Sequence, residues 1–263
     1  MASIVNAVFG NADYFILILL RMGALVVASP IFGRINVPQR VKVCLILALS
    51  YLCFSIFPQT AELHYATLMG YLVVCAGEVL LGVALAFVTN VFFALTAFTA
   101  GQLIDMQVGY GIVNVYDIQN NTQIPMMGNV LNIMLLILFF AVDGHLKLIS
   151  MIFMTVESMP VGSLAFTPGV GMAALEIFAK AFLLGVMMAL PVIASGLTLE
   201  ILLGVLMRLV PQIHMFVVGV PLKMLIGISV FTASLPVFAG FSSKIFTEMF
   251  NGITTMFSRF AAT

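Results

Sequence analysis

Apolar residues fall in long unbroken runs parted by short polar breaks, and nowhere in the strict alternation of a half-buried strand. The first run is Tyr14 to Phe32, interrupted by Arg21. The second, Val41 to Phe57, lies in a stretch without charge from Val43 to Ala61. A third begins near Leu68, carries Glu78 and stays uncharged from Val79 to Ile104, which exceeds the roughly 20 residues that cross a bilayer. Such a helix must tilt strongly or project beyond the hydrocarbon. The fourth run, Val130 to Val142, is short and ends at Asp143-Gly144-His145, with a second half from Leu146 to Val156. The fifth, Met172 to Leu206, holds Glu176, Lys180, Pro191 and Glu200. The sixth, Ile213 to Gly240, holds Pro221, Lys223 and Pro236. The pattern predicts an all-α chain of about six spans, the last two broken at their prolines.

Two segments depart from this scheme. Residues 101–128 mix Gly101, Gly109, Gly111 and Pro125 with the polar run Gln119 to Gln123, which predicts irregular backbone. In the tail 241–263, Phe241, Ile245, Met249, Phe250, Ile253, Phe257 and Phe260 share one helical stripe, with Lys244, Glu248, Asn251 and Arg259 mostly opposite. This amphipathic helix is expected to lie along a membrane surface or dock on a partner.

Composition narrows the class. Only 8% of the 263 residues are charged and 63% are hydrophobic, against about 25% charged in a soluble domain. So little charge cannot cover a water-soluble globule, so the chain belongs in a membrane or in the core of a membrane complex. Ten cations balance ten anions, which gives no footing for nucleic acid. The three cysteines, Cys44, Cys53 and Cys75, have no CxxC spacing and are expected to pack as small hydrophobes. Tryptophan is absent, so an interfacial aromatic belt must draw on tyrosines such as Tyr14, Tyr51, Tyr65 and Tyr71. No Lys or Arg precedes Arg21, so a cleavable signal is not expected and the first run is read as a retained helix. Arg34, Arg40 and Lys42 place the loop after it on the cytoplasmic side.

Ionisable groups at membrane depth are the first functional candidates. Arg21, Glu78, Glu176, Lys180, Glu200, Arg208 and Lys223 qualify. Glu176 and Lys180 stand four apart, in the order that favours a pair on one helix face. Neutralised charge in a packed bundle or subunit interface, an ion relay, and contact with a translocating polar chain are all open readings. The first is the plainest. Within 105–125 the apolar residues Ile112, Val113 and Val115 stand beside Met106, Gly109, Tyr110, Gly111, Tyr116 and Asp117. A solvated connector has little use for them, so an element buried in protein or lining an aqueous cavity is favoured. Catalysis has no foothold. Asp105 and Asp117 lack the GxGD run of intramembrane aspartyl proteases, and His64, His145 and His214 show no metal spacing. No cofactor is expected.

The runs PIFGRINVPQRVK (30–42), GEVLLGVALAF (77–87), GQLIDMQVGYGIVNVYDIQNNTQIP (101–125), DGHLKLI (143–149) and RLVPQIHMFVVGVPLKMLIG (208–227) occur in one order across nearly the whole chain. In that order the chain resembles the FliR family of flagellar biosynthetic proteins and its counterparts in virulence-associated type III secretion.

The resemblance implies one all-α subunit domain over 1–263, built of long kinked helices and helical hairpins, like a fusion of FliP-type and FliQ-type subunits. It implies a non-enzymatic core subunit of the flagellar type III export gate in the bacterial inner membrane, at the basal body. The assembly would rise toward the periplasm. The implied partners are FliP-type and FliQ-type subunits in a ring, a FlhB-type protein, membrane lipid and unfolded flagellar export substrates. The loop within 101–128 would plug the channel. A different class, the ion-coupled secondary transporter, is suggested by proline-broken fifth and sixth runs carrying Glu176, Lys180, Glu200 and Lys223.

Overall fold

The computed structural model describes residues 12–34, 37–57, 67–109, 116–117, 122–123, 125–162, 169–210 and 218–261. They form α1 (Ala12–Ala28), α2 (Gln39–Ile56), α3 (Leu68–Asn90), a π-helical turn (Val91–Leu95), α4 (Thr96–Val108), α5 (Met126–Ala141), α6 (Gly144–Ser158), α7 (Gly169–Leu209) and α8 (Val220–Ala261). The all-α expectation holds. The one addition is a minimal antiparallel hairpin of β1 (Tyr116–Asp117) and β2 (Thr122–Gln123), with Tyr116 opposite Gln123.

Four stretches are long and apolar enough to cross a membrane: 39–56, 68–108, 169–209 and 220–260. The interrupted pair α5 and α6 makes a fifth candidate. That is fewer than the six expected, because α1 has 17 described residues and the fourth run needs both its halves. A 41-residue stretch at 1.5 Å per residue is roughly 60 Å long, about twice a hydrocarbon core. Part of each long helix therefore needs protein or water around it.

Neither interior proline breaks its helix. Pro191 lies inside α7 and Pro236 inside α8, so the breaks expected at these two prolines are corrected, while Pro221 stands in the first turn of α8. A proline removes one backbone donor. In an apolar setting, ending the helix would strip several more groups of their partners, so the helix continues. The break in the fourth run is real. Asp143 takes a left-handed φ of 53° between α5 and α6, a conformation aspartate tolerates better than most residues. The Asp143 carbonyl then accepts the Leu146 and Lys147 amides, starting α6.

The described contacts divide the chain into two compact units. The first holds residues 1–90, 143–177 and 249–263. Here α3 packs along α1, with Leu17, Ile18, Met22, Leu25, Leu81 and Leu85 buried. The Asn90 side-chain amide donates to the Ala28 carbonyl and ties the two helix ends. Tyr14 is buried and donates to the Phe57 carbonyl at 3.1 Å, so it joins α1 to α2 and is no part of an interfacial belt.

The tail belongs to this unit too. From Met249 onward α8 buries Met249, Phe250, Ile253, Met256 and Phe260, and Lys147 of α6 sits 4.3 Å over the Phe250 ring. The amphipathic stripe is real, but it docks on the chain's own core and is continuous with the sixth run.

The second unit holds 91–142 and 178–248. Its centre is aromatic: Phe93 of the π turn meets Phe139 edge-on at 5.3 Å, and Phe246 lies 6.0 Å from Phe93 and 5.4 Å from Phe139. The π turn gives the stretch 68–108 an irregular turn at that cluster, a feature that π-bulges often bring to functional helices.

Candidate functional site

Arg21 and Glu78 form the polar heart of the first unit. Arg21 is 1% exposed and Glu78 is fully buried, in helices that are otherwise apolar. The guanidinium Nε donates to Glu78 Oε2 at 2.5 Å and a terminal nitrogen reaches Oε1 at 3.1 Å, the two-pronged geometry that only arginine offers. The remaining donor capacity goes to the carbonyls of Thr155 and Met159, at 3.3 and 3.2 Å. These sit at the C-terminal end of α6, where a helix presents unsatisfied carbonyls and partial negative charge. Glu78 Oε1 also accepts the Gly162 amide at 2.8 Å.

Four segments thus meet on one ion pair: α1, α3, the end of α6 and the turn after it. Gly82, one helical turn after Glu78, lets this happen. A Cβ there would lie 2.5 Å from the Arg21 carbonyl and 2.8 Å from Ala24 Cβ, so only glycine allows α3 so close to α1.

The other expected buried charges behave differently. Lys223 of α8 pairs with Glu200 of α7, but their side chains are 19% and 41% exposed. Glu176, Lys180 and Arg208 lie on the exposed face of α7. Within this chain the Lys223–Glu200 pair is therefore part-buried, while Glu176, Lys180 and Arg208 are exposed. The physical reason is direction: hydropathy reports that a helix is apolar, while packing decides which side turns inward.

In the second unit α4 continues through Met106, which is exposed, to Val108. The irregular backbone expected over 101–128 is therefore corrected at both ends, which are helical to Val108 and again from Met126. Gly109 ends the helix in the left-handed region at φ 91°, its amide bonded to the Asp105 carbonyl at 3.0 Å. Asp105 itself is buried, and its carboxylate accepts the Met127 amide at 3.3 Å. The carboxylate lies at the positive N-terminus of α5, so one side chain ties both legs of the loop together. The β1–β2 pairing closes the loop further out, and Asp117 contributes its backbone there. Of the other expected loop residues, Tyr116 is in β1, while Tyr110, Gly111, Ile112, Val113 and Val115 lie outside the described residues. Among the described residues no His, Cys, Asp or Glu cluster could hold a metal.

These elements define an α-helical membrane protein that buries the Arg21–Glu78 ion pair, carries further charge on the exposed side of its helices, and ties the end of α4 to the start of α5 across the loop between them. Residues 12–249 match the family model described as Bacterial export proteins, family 1. The flagellar biosynthetic protein FliR of Escherichia coli K12 is 32% identical over 240 residues, 91% of each chain. The FliR of Bacillus subtilis 168 is 31% identical, covering 84% of this chain and 86% of its own. That of Aquifex aeolicus VF5 is 27% identical over 91% of this chain and 93% of its own. The chain belongs to this export-protein family, among the FliR proteins.

Proposed function

We propose that the chain is a non-enzymatic core subunit of the flagellar type III export gate in the inner membrane. In this reading the whole of 1–263 acts as one subunit, related in build to a fusion of FliP-type and FliQ-type subunits. It joins them and a FlhB-type protein in a ring that stands toward the periplasm and passes unfolded flagellar substrates. The loop within 101–128 is its plug.

One observation carries the reading beyond family membership. Glu176, Lys180 and Arg208 are exposed on one side of α7, an apolar helix of 41 residues whose other side is buried. Lipid is a poor solvent for charge, and a helix of that length overreaches the bilayer, which supports protein or a wet conduit along part of it. The unbroken course of α7 and α8 through Pro191 and Pro236 favours this reading over a transporter built on discontinuous helices.

The plug is tested by deleting residues 109–121 and expressing the chain with the other gate subunits. The reading expects the membrane to leak small solutes and ions. An assembled gate with unchanged permeability removes the plug.

A further inference from the structure

Most of the surface of α2 faces away from the chain. Of its 18 residues only Leu49, Ser50 and Cys53 are buried, and α2 packs on α1. Val43, Leu47, Leu52 and Ile56 are each about half exposed. Arg40 and Lys42, both in the first turn, are its only charges, and none follows from Val43 to Ala61.

Length and charge both say what covers this face. Eighteen residues at 1.5 Å each span roughly 27 Å, close to the ~30 Å of one hydrocarbon core. The 41-residue α7 overreaches it. The exposed side of α7 also carries Glu176, Lys180 and Arg208, which need protein or water. Beyond its first turn α2 exposes no ionised group, so acyl chains can surround it without stranding a charge.

The charged end completes the match. Arg34 Nε donates to the Pro30 carbonyl at 3.1 Å, and Lys42 Nζ donates to the Gly33 carbonyl at 2.8 Å. Both cations are thereby held beside the turn that leads into α2. Each has further N–H donors, and Arg40 beside them is exposed. No Asp or Glu occurs from Tyr14 to Ala61, so this end of the hairpin of α1 and α2 is basic. Cations flanking an apolar span favour the cytoplasmic side, where the leaflet surface is negative.

We propose that α2 is the lipid-facing stave of the subunit. Its exposed side lies against acyl chains, and Arg34, Arg40 and Lys42 hold anionic phospholipid headgroups at the cytoplasmic leaflet. This holds with or without a plug in the channel.

The test is photocrosslinking in membranes that contain the complete co-expressed gate. Leu47 or Leu52 is replaced, one at a time, by p-benzoylphenylalanine, and the products are read by mass spectrometry. Both positions should yield phospholipid adducts. A second gate subunit joined at either position, or no lipid adduct at either, overturns the lipid-facing assignment. The same replacement at Leu183, exposed on α7, should join a protein subunit. Lipid at Leu183 together with lipid at Leu47 and Leu52 supports the stave and counts against the gate reading of α7.

A second arm reads the headgroups. The replacement at Val43, one turn after Arg40, is made in membranes of phosphatidylglycerol and phosphatidylethanolamine. Phosphatidylglycerol should exceed its membrane share among the adducts. Arg40→Gln should cut that excess about fivefold, the worth of one surface cation, and Arg40→Lys should keep it. Adducts in the bulk ratio, or an excess unmoved by Arg40→Gln, overturn the headgroup assignment.

Discussion

Replacing Arg21 with methionine tests the ion pair at the core of the first unit. Methionine keeps a long apolar side chain, but Glu78 is then left fully buried with the Gly162 amide as its remaining donor. The carbonyls of Thr155 and Met159 also lose their guanidinium contact. Removing one partner of a buried pair costs roughly 3–5 kcal/mol. By the scaling for chains of about this size, that lowers the unfolding midpoint by roughly 6–20 °C. The double variant Arg21→Met/Glu78→Met strands no charge, so its loss should be smaller than the sum of the two single losses, by about 2 kcal/mol. The assay heats the detergent-extracted protein and follows the surviving monodisperse fraction, with hydrogen exchange read peptide by peptide. Amides of 155–162 should lose protection first in Arg21→Met, since the pair anchors the end of α6 and the following turn. Simple additivity of the single losses, or unchanged exchange at 155–162, would refute the reasoning.

Further outcomes follow from packing. Gly82→Val places side-chain atoms against the Arg21 carbonyl, where even a Cβ would be 2.5 Å away, and should cost about 1–3 kcal/mol in the same heating assay; wild-type stability would show that α1 and α3 do not approach there. Phe139→Ala removes the ring that meets Phe93 at 5.3 Å and Phe246 at 5.4 Å and should cost roughly 3–5 kcal/mol; a loss under about 1 kcal/mol contradicts a packed aromatic centre. Lys223→Ala leaves Glu200 without its cation and should lower recovery of the whole complex more than insertion of the chain itself, measured by co-purification against total membrane content; normal recovery of the complex refutes this.

What the sequence revealed is what local pattern controls. The all-α class, the overlong third run and the interrupted fourth follow from hydrophobic period and from Asp143-Gly144, and the structure has them. The stripe Met249, Phe250, Ile253 and Phe260 was readable as amphipathic, but its target was not, since a stripe says nothing of what it meets. Pro191 and Pro236 misled because a proline's local cost is set against the larger cost of unpaired backbone in apolar surroundings.

The site was legible only in part. Arg21 and Glu78 stood out as charges in apolar runs, yet 57 positions separate them, and no sequence signal joins them to each other or to the carbonyls of α6. Glu176, Lys180 and Arg208 stood out in the same way and face outward instead. Asp105 looked like one half of an unlikely dyad and is the tie between the legs of the loop.

The central claim is that these helices are faced by companion subunits and a conduit, with lipid covering only part of them. Its most direct test is the mass of the particle extracted in mild detergent when the chain is co-expressed with FliP-type and FliQ-type subunits. The account predicts one large particle in which this chain is held in fixed ratio with both. Recovery of the chain alone, as a stable lipid-ringed monomer of 28.4 kDa beside separate assemblies of the others, would contradict it.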